Sequence, residues 1–128
     1  MQGYVLAEVV PPELEQYAVK LQQLRAKLGQ VQAEKGVVQA ELKEVERALE
    51  LLKGAAPDAL IFKSAGHLMV RVSKEDAEKE LSDRKDILEL RLRALERQES
   101  SISSEIRDLE ARVNEIMGRY YGRKGGGG

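Results

Sequence analysis

The side chains of this chain that could take part in chemistry are few in kind: one histidine, no cysteine, 22 acidic residues and 21 basic ones. The histidine, His67, follows Ser64-Ala65-Gly66 in a turn-like stretch. A single imidazole makes no metal-ligand pair, and its place in a turn argues against a histidine-dependent triad. His67 reads as an ordinary solvent-facing residue, with an assembly contact as the lesser alternative. Glu44 and Glu46 stand for the many carboxylates. They are close in sequence, but acid–base catalysis needs a cleft that orients a substrate and excludes water, and a helix surface offers none. The absence of cysteine removes thiol catalysis, thiolate metal sites and disulfides. No glycine-rich loop with Lys and Ser or Thr is present to cradle a phosphate. The expectation is a protein that is not an enzyme and carries no cofactor and no metal.

The charges are arranged instead as helix surfaces. Glu75 with Lys79, Glu80 with Arg84, Glu89 with Arg93, Asp108 with Arg112 and Glu115 with Arg119 are four apart in the favourable order, each pair worth a few tenths of a kcal/mol. From Lys74 onward 12 basic residues face 13 acidic ones, so the basic stripe that a nucleic-acid-binding arm requires is missing. Only Arg119, Arg123 and Lys124 make the extreme end locally positive. No apolar run approaches the roughly 20 residues that cross a bilayer. Met1-Gln2-Gly3-Tyr4 lacks the basic-then-apolar order of a signal peptide. With no cysteine, a cytoplasmic location is the simplest expectation, with neither membrane nor nucleic acid as a partner.

The elements behind these surfaces are set by the apolar residues. Leu14, Tyr17, Leu21, Leu24, Leu28, Val31, Val38, Leu42, Val45, Leu49 and Leu52 recur at alternating intervals of three and four, interrupted only by Lys35. This heptad stripe predicts a supercoiling helix of about 40 residues, roughly 60 Å long. Pro11, Pro12, Glu13 and Glu15 suit its start, and Gly54 with Pro57 its end. A second stripe runs through Leu81, Leu88, Leu92, Leu95, Ile102, Ile106, Leu109, Val113 and Ile116, with Lys85 and Glu99 also on the seam. Ser73 can cap this helix, with Asp76 three residues on. Each stripe lacks other cover in a chain with one Phe and no Trp, so the two helices are expected to fold back on each other. Gly29 and Gly36, one heptad apart off the seam, each cost up to about 1 kcal/mol of helix propensity, and the sequence gives no cause for them. A tolerated surface position is the simpler reading, a close contact with another helix the alternative.

Between the helices, Asp58 to Lys63 and Leu68 to Val72 flank Ser64-Ala65-Gly66-His67 and read as a β-hairpin. An isolated two-stranded hairpin is marginal in water, and this one carries Leu60, Ile61, Phe62, Leu68, Met69, Val70 and Val72. Either it folds onto the helix bases and buries itself, or it oligomerises through open edges and an apolar face. The second is favoured. The expected fold is all-α dominated, a long antiparallel two-helix coiled coil with an inserted β-hairpin. Its parts are a terminal apolar stretch at 1–10, a first helix at 11–53, linker and hairpin at 54–73, a second helix at 74–118, and a C-terminal tip with a flexible glycine-rich tail at 119–128.

In this order of parts the chain resembles the prefoldin family, β type. Pro11-Pro12-Glu13 opens the first helix, Phe62-Lys63-Ser64-Ala65-Gly66-His67-Leu68-Met69-Val70 stands at the family's hairpin, and Ala77 to Leu81, Arg84, Leu88, Arg91 and Leu95-Glu96-Arg97-Gln98-Glu99 match in the second helix. The resemblance spans Pro11 to about Met117, and His67 and the glycine tail depart from the pattern. It implies a hexamer of two α and four β subunits joined through their hairpins. It implies an ATP-independent holdase chaperone that captures unfolded or nascent proteins and delivers them to a group II chaperonin.

The client-binding residues are expected at the end opposite the hairpin, where Tyr4, Val5, Leu6, Val9 and Val10 would lie near Ile116, Met117, Tyr120 and Tyr121. Met and Tyr suit weak contact with varied segments. The same residues could simply cap the coiled coil by packing on one another, and both can hold. The rival function is a structural coiled-coil adaptor without chaperone activity, which predicts one folded partner in place of several unfolded ones.

Overall fold

In the computed structural model of the chain, the backbone is described for residues 11–125 and side chains for residues 11–121. The element order is α1 (Pro12–Gly54), β1 (Ile61–Ala65), β2 (Leu68–Val72) and α2 (Lys74–Gly125). The residues cluster into two units, a terminal one of Met1–Gln30 with Glu99–Gly128 and a hairpin-bearing one of Val31–Gln98.

Both helices begin where their caps allow. The amide of Leu14 donates to the carbonyl of Pro11 at 2.9 Å, which leaves Pro12, lacking a donor, at the first helical position. The amide of Asp76 donates to Ser73 Oγ at 3.0 Å and that of Ala77 to the Ser73 carbonyl at 3.0 Å, the N-cap expected from the sequence. At the other end of α1, Lys74 Nζ donates to the carbonyl of Ala55 at 3.0 Å, where a cation meets the negative end of a helix.

In the hairpin-bearing unit the seam is Val31, Lys35, Val38, Leu42, Val45, Leu49 and Leu52 against Leu81, Lys85, Leu88, Leu92 and Leu95, all buried or half-buried. Leu88 is the most enclosed, at 2% exposure. In the terminal unit Leu14, Leu21, Ile102, Ile106 and Ile116 are buried, and Tyr17, Leu24, Leu28, Glu99, Leu109 and Val113 are half-buried. A stripe of two residues per heptad covers nothing else, so the cores stay thin.

The second helix corrects its expected end. It continues past 118 to Gly125, so 119–125 are helical and the glycine at 118 is carried inside the helix. Tyr120, four residues after Ile116, is half-buried and extends the three–four spacing by one step. The hairpin is also tighter than expected. β1 runs through Ser64 and Ala65, and Ala65 pairs with Leu68, leaving a two-residue turn of Gly66 and His67. Gly66 has φ of 60° and no other described residue has positive φ, the pattern of a turn that needs glycine at its first central position.

Candidate functional site

The register Ile61↔Val72, Phe62↔Arg71, Lys63↔Val70, Ser64↔Met69, Ala65↔Leu68 sorts the hairpin into two faces, because side chains alternate along a strand. Ile61, Lys63, Ala65, Leu68, Val70 and Val72 share one face. Phe62, Ser64, Met69 and Arg71 share the other. At the base of the first face Ile61 and Val72 are half-buried. Elsewhere the apolar residues stay uncovered: Phe62 is 52% exposed, Val70 46% and Leu68 69%, and Leu60 and Met69 are exposed as well. Folding onto the helix bases therefore accounts for Ile61 and Val72 only. The sheet has two strands, so among the described residues both outer edges lack a neighbour.

Between hairpin and helices lies an open apolar groove of about 380 Å³, walled by Leu51, Leu52, Ile61, Phe62, Val72 and Leu81. Lys63 and Glu80 also line it and form an ion pair. This pair ties β1 to α2, and it neutralises the only charges on the groove wall.

At the chain-terminal end, Tyr4, Val5, Leu6, Val9 and Val10 lie outside the described residues. Of the other four expected client contacts, Ile116 is buried. Met117 and Tyr121 are exposed. The rings of Tyr120 and Tyr121 meet edge to face, centroids 5.0 Å apart at 83°, an arrangement favoured by the ring quadrupole. Nearby, a hydrogen bond to Tyr17, and next the bond to Glu115, hold the Arg112 guanidinium above its ordinary pKa. The Arg112–Glu115 distance is 3.3 Å.

The surface charges are used differently from the sequence expectation. Glu115 does meet Arg119, at 3.7 Å. Arg84, however, places Nε at 2.9 Å and Nη2 at 2.6 Å from Glu41 Oε1 on the other helix, Glu80 is taken by Lys63, and Glu89 meets Lys85 at 3.9 Å. Arg91 pairs with Glu34, one heptad away on both helices, and in the terminal unit Lys20 lies 4.0 Å from Glu105. These cross-helix pairs flank the stripe and fix antiparallel register, as e and g positions do in coiled coils. The signal was in the sequence: each step of seven up α1 from Glu34 to Glu41 is matched by a step of seven down α2 from Arg91 to Arg84.

No group of three or more His, Cys, Asp or Glu side chains that could hold a metal occurs among the described residues. No described helix is long and apolar enough to cross a membrane. His67 is exposed beside Gly66.

Comparison with known proteins gives the same frame. A family model described as "Prefoldin subunit" matches residues 15–120. The prefoldin subunit beta of Sulfolobus acidocaldarius is 42% identical over 122 residues, 95% of this chain and 98% of the relative. That of Sulfurisphaera tokodaii is 41% identical over 121 residues, 94% and 97%. Among solved structures, the prefoldin beta subunit from Thermococcus strain KS-1 superposes with a TM-score of 0.80 at 33% identity, covering 84% of this chain and 94% of that one. The beta2 subunit of the same source, at 20% identity and a TM-score of 0.65, shares the fold.

Proposed function

The chain belongs to the prefoldin family, as a β-type subunit, and from that premise we propose that it is an ATP-independent holdase. In this reading it assembles through its hairpin with an α-type subunit, two α to four β, grips non-native proteins through its terminal apolar residues and passes them to a group II chaperonin in the cytoplasm. Members of this family are not enzymes, which agrees with a chain whose charges are spent on helix register.

The observation that carries the reading is the exposure of Met117 and Tyr121 beside Tyr120. These are large side chains at the end of a thin seam, left open by the described residues. With about two fifths of each still open, each could contribute roughly 0.6 to 1.2 kcal/mol on full burial, before ordering costs. One such end binds weakly. Several held around one client raise the effective concentration, so that an assembly retains what a single subunit releases. Capture of this kind is an equilibrium of weak contacts and requires no nucleotide.

The test is aggregation of two unrelated denatured proteins with the reconstituted complex. Wild type is compared with Met117→Ser/Tyr121→Ser, with a chain lacking residues 1–10, and with a flank variant, Arg93→Gln. The terminal variants are expected to keep the mass of the complex and lose most protection of both clients, while Arg93→Gln behaves as wild type. Full protection by terminal variants of correct mass would move client binding elsewhere on the helices. Protection of a single folded partner only would identify an adaptor.

A further inference from the structure

The hairpin is joined to its helices unevenly. On one side residues 55–60 run between α1 and β1, and on the other a single residue, Ser73, separates β2 from α2. Lys74 pins the start of the longer link, its Nζ donating to the Ala55 carbonyl at 3.0 Å. What these links leave open is the angle at which the hairpin stands from the helices, with Ser73 as the pivot. The apolar seat sets that angle poorly. Ile61 and Val72, both half-buried, face each other across the base of the hairpin, and Val72 adjoins the pivot, so contacts there resist a swing with almost no lever arm.

The contact between Lys63 and Glu80 lies farther out. Lys63 pairs in register with Val70, two residues beyond Val72, or about 7 Å along the strand. Its ammonium meets Glu80, six residues after Lys74 and about 9 Å along the axis of α2. Strand, helix and ion pair form a triangle with its apex at Ser73, and a triangle whose third side is held has a fixed angle. We infer that Lys63 and Glu80 are positioning residues, whose ion pair is a strut that holds the hairpin at one angle to the helices before any partner arrives. The inference rests on the proposed assembly through the hairpin and concerns how the single chain is prepared for it.

Leverage decides why the strut matters. Leu68 lies about 13 Å from Val72 along the strand. Play of about 2.5 Å at Lys63 therefore becomes about 5 Å at Leu68, a full inter-strand spacing, whereas hydrogen bonds along a strand edge tolerate only about half an ångström. Both side chains of the pair are about half exposed, at 49% and 56%, so the pair adds little to the stability of the fold. Its effect is on the spread of hairpin angles, which a partner would otherwise have to narrow at a cost to its own binding. The strut also accounts for a lysine in the middle of an otherwise apolar strand face.

The test is a charge swap with two readouts. Lys63→Glu, Glu80→Lys and the double variant Lys63→Glu/Glu80→Lys are compared with wild type in the full chain. Glu80→Gln, which removes the pair without touching a strand, guards against loss of the hairpin itself. Because the chain has no cysteine, His67→Cys and Asp83→Cys, both at exposed positions, carry two spin labels whose distance distribution reports the hairpin angle, at a dilution where light scattering finds single chains. Assembly of the unlabelled chains with an archaeal prefoldin α subunit is titrated in parallel, and circular dichroism checks that the helices persist. The expected result is a narrow distribution for wild type and one about twice as broad for each single variant. Assembly of those variants should be weaker by roughly two- to fivefold, and the double variant should return both readouts to near wild type. Equal widths in all chains would overturn the inference and leave assembly through the hairpin standing. Broader single variants that assemble as wild type would overturn it as well. A double variant that stays as weak as Lys63→Glu would place Lys63 against another subunit and likewise overturn it. If wild type does not assemble with the α subunit at all, the assembly reading falls, while the label distances still decide whether the pair fixes the angle.

Discussion

Replacing Phe62 and Val70 together by Asp separates folding from assembly, and the structure sets the size of the effect. Fully burying a Val or Phe side chain stabilises by about 1.5 to 3 kcal/mol. Phe62 is 52% exposed and Val70 46%, so roughly half of that remains to be gained by a partner, or about 2 kcal/mol for the two together. At 1.4 kcal/mol per decade, this loss alone weakens each subunit contact roughly thirtyfold. Two carboxylates carried into an apolar interface cost several kcal/mol more, which brings the expected loss to at least two orders of magnitude. The helices have little share in this. Both residues lie in the strands, the caps at Ser73 and Pro11 are untouched, and Ile61 and Val72 still seat the hairpin base. Mass measured by light scattering and native mass spectrometry over a concentration series with an α subunit should fall to single subunits where wild type forms the complex. Circular dichroism should keep its helical signal, with a thermal midpoint a few degrees lower. A double variant that assembles at wild-type concentration would refute the assignment of the exposed hairpin residues to the interface. A variant that loses its helices would show that the hairpin holds the fold of the single chain.

Leu88→Ala removes the most enclosed side chain of the seam and should cost about 2 to 5 kcal/mol, whereas Glu41→Gln, which breaks the exposed pair with Arg84, should cost under about 1 kcal/mol; denaturant melts of the two variants compare them directly. An added Cβ at Gly29 or Gly36 meets nothing within 4 Å, so Gly29→Ala and Gly36→Ala should each raise stability by up to about 1 kcal/mol and leave the complex intact, and a loss of mass on native spectrometry would mean that a partner helix packs against these positions. Ser73→Ala deletes the bond to the Asp76 amide and should lower stability by about 1 kcal/mol, read as a lower thermal midpoint with unchanged client protection.

The helix seam was legible because it is a one-dimensional problem: a period of seven names the buried positions, and every expected one, Lys35, Lys85 and Glu99 included, is buried or half-buried. The cap at Ser73 followed from local chemistry in the same way. Two things were misread for identifiable reasons. The second helix was expected to end at 118, but it runs on to Gly125, and Tyr120, one three–four step beyond Ile116, is half-buried. The charges were paired along each helix, although the stripe's own flanks face the other helix. Glu41 and Arg84, or Glu34 and Arg91, are found only by matching steps of seven in opposite directions. At the candidate surfaces, the apolar character of the hairpin was plain from composition. Which of its residues remain open was not, because Ile61 and Val72 differ from Val70 and Leu68 only in their distance from the helices. The groove joins residues from both helices and both strands, and no periodicity announces it.

A two-residue-per-heptad stripe is enough to join two helices and too narrow to hide anything else. All remaining large apolar side chains must then be either surface accidents or contacts with other molecules. Val19, Val37, Ile87 and Leu90 are scattered singly or in pairs along helix flanks, as on most protein surfaces. Leu60, Phe62, Leu68, Met69 and Val70 are concentrated in one short stretch, and Met117 and Tyr121 in another. These two concentrations differ in kind. The hairpin supplies backbone edges and a fixed register, which suit a partner of one shape. The helix end supplies a thioether and a phenol ring on a single α-helix, without edges, which suits partners of many shapes held loosely. In the proposed reading the first contact is what makes the second useful: loose contacts retain a client only when several ends act together, and the number of ends that act together is set at the hairpin.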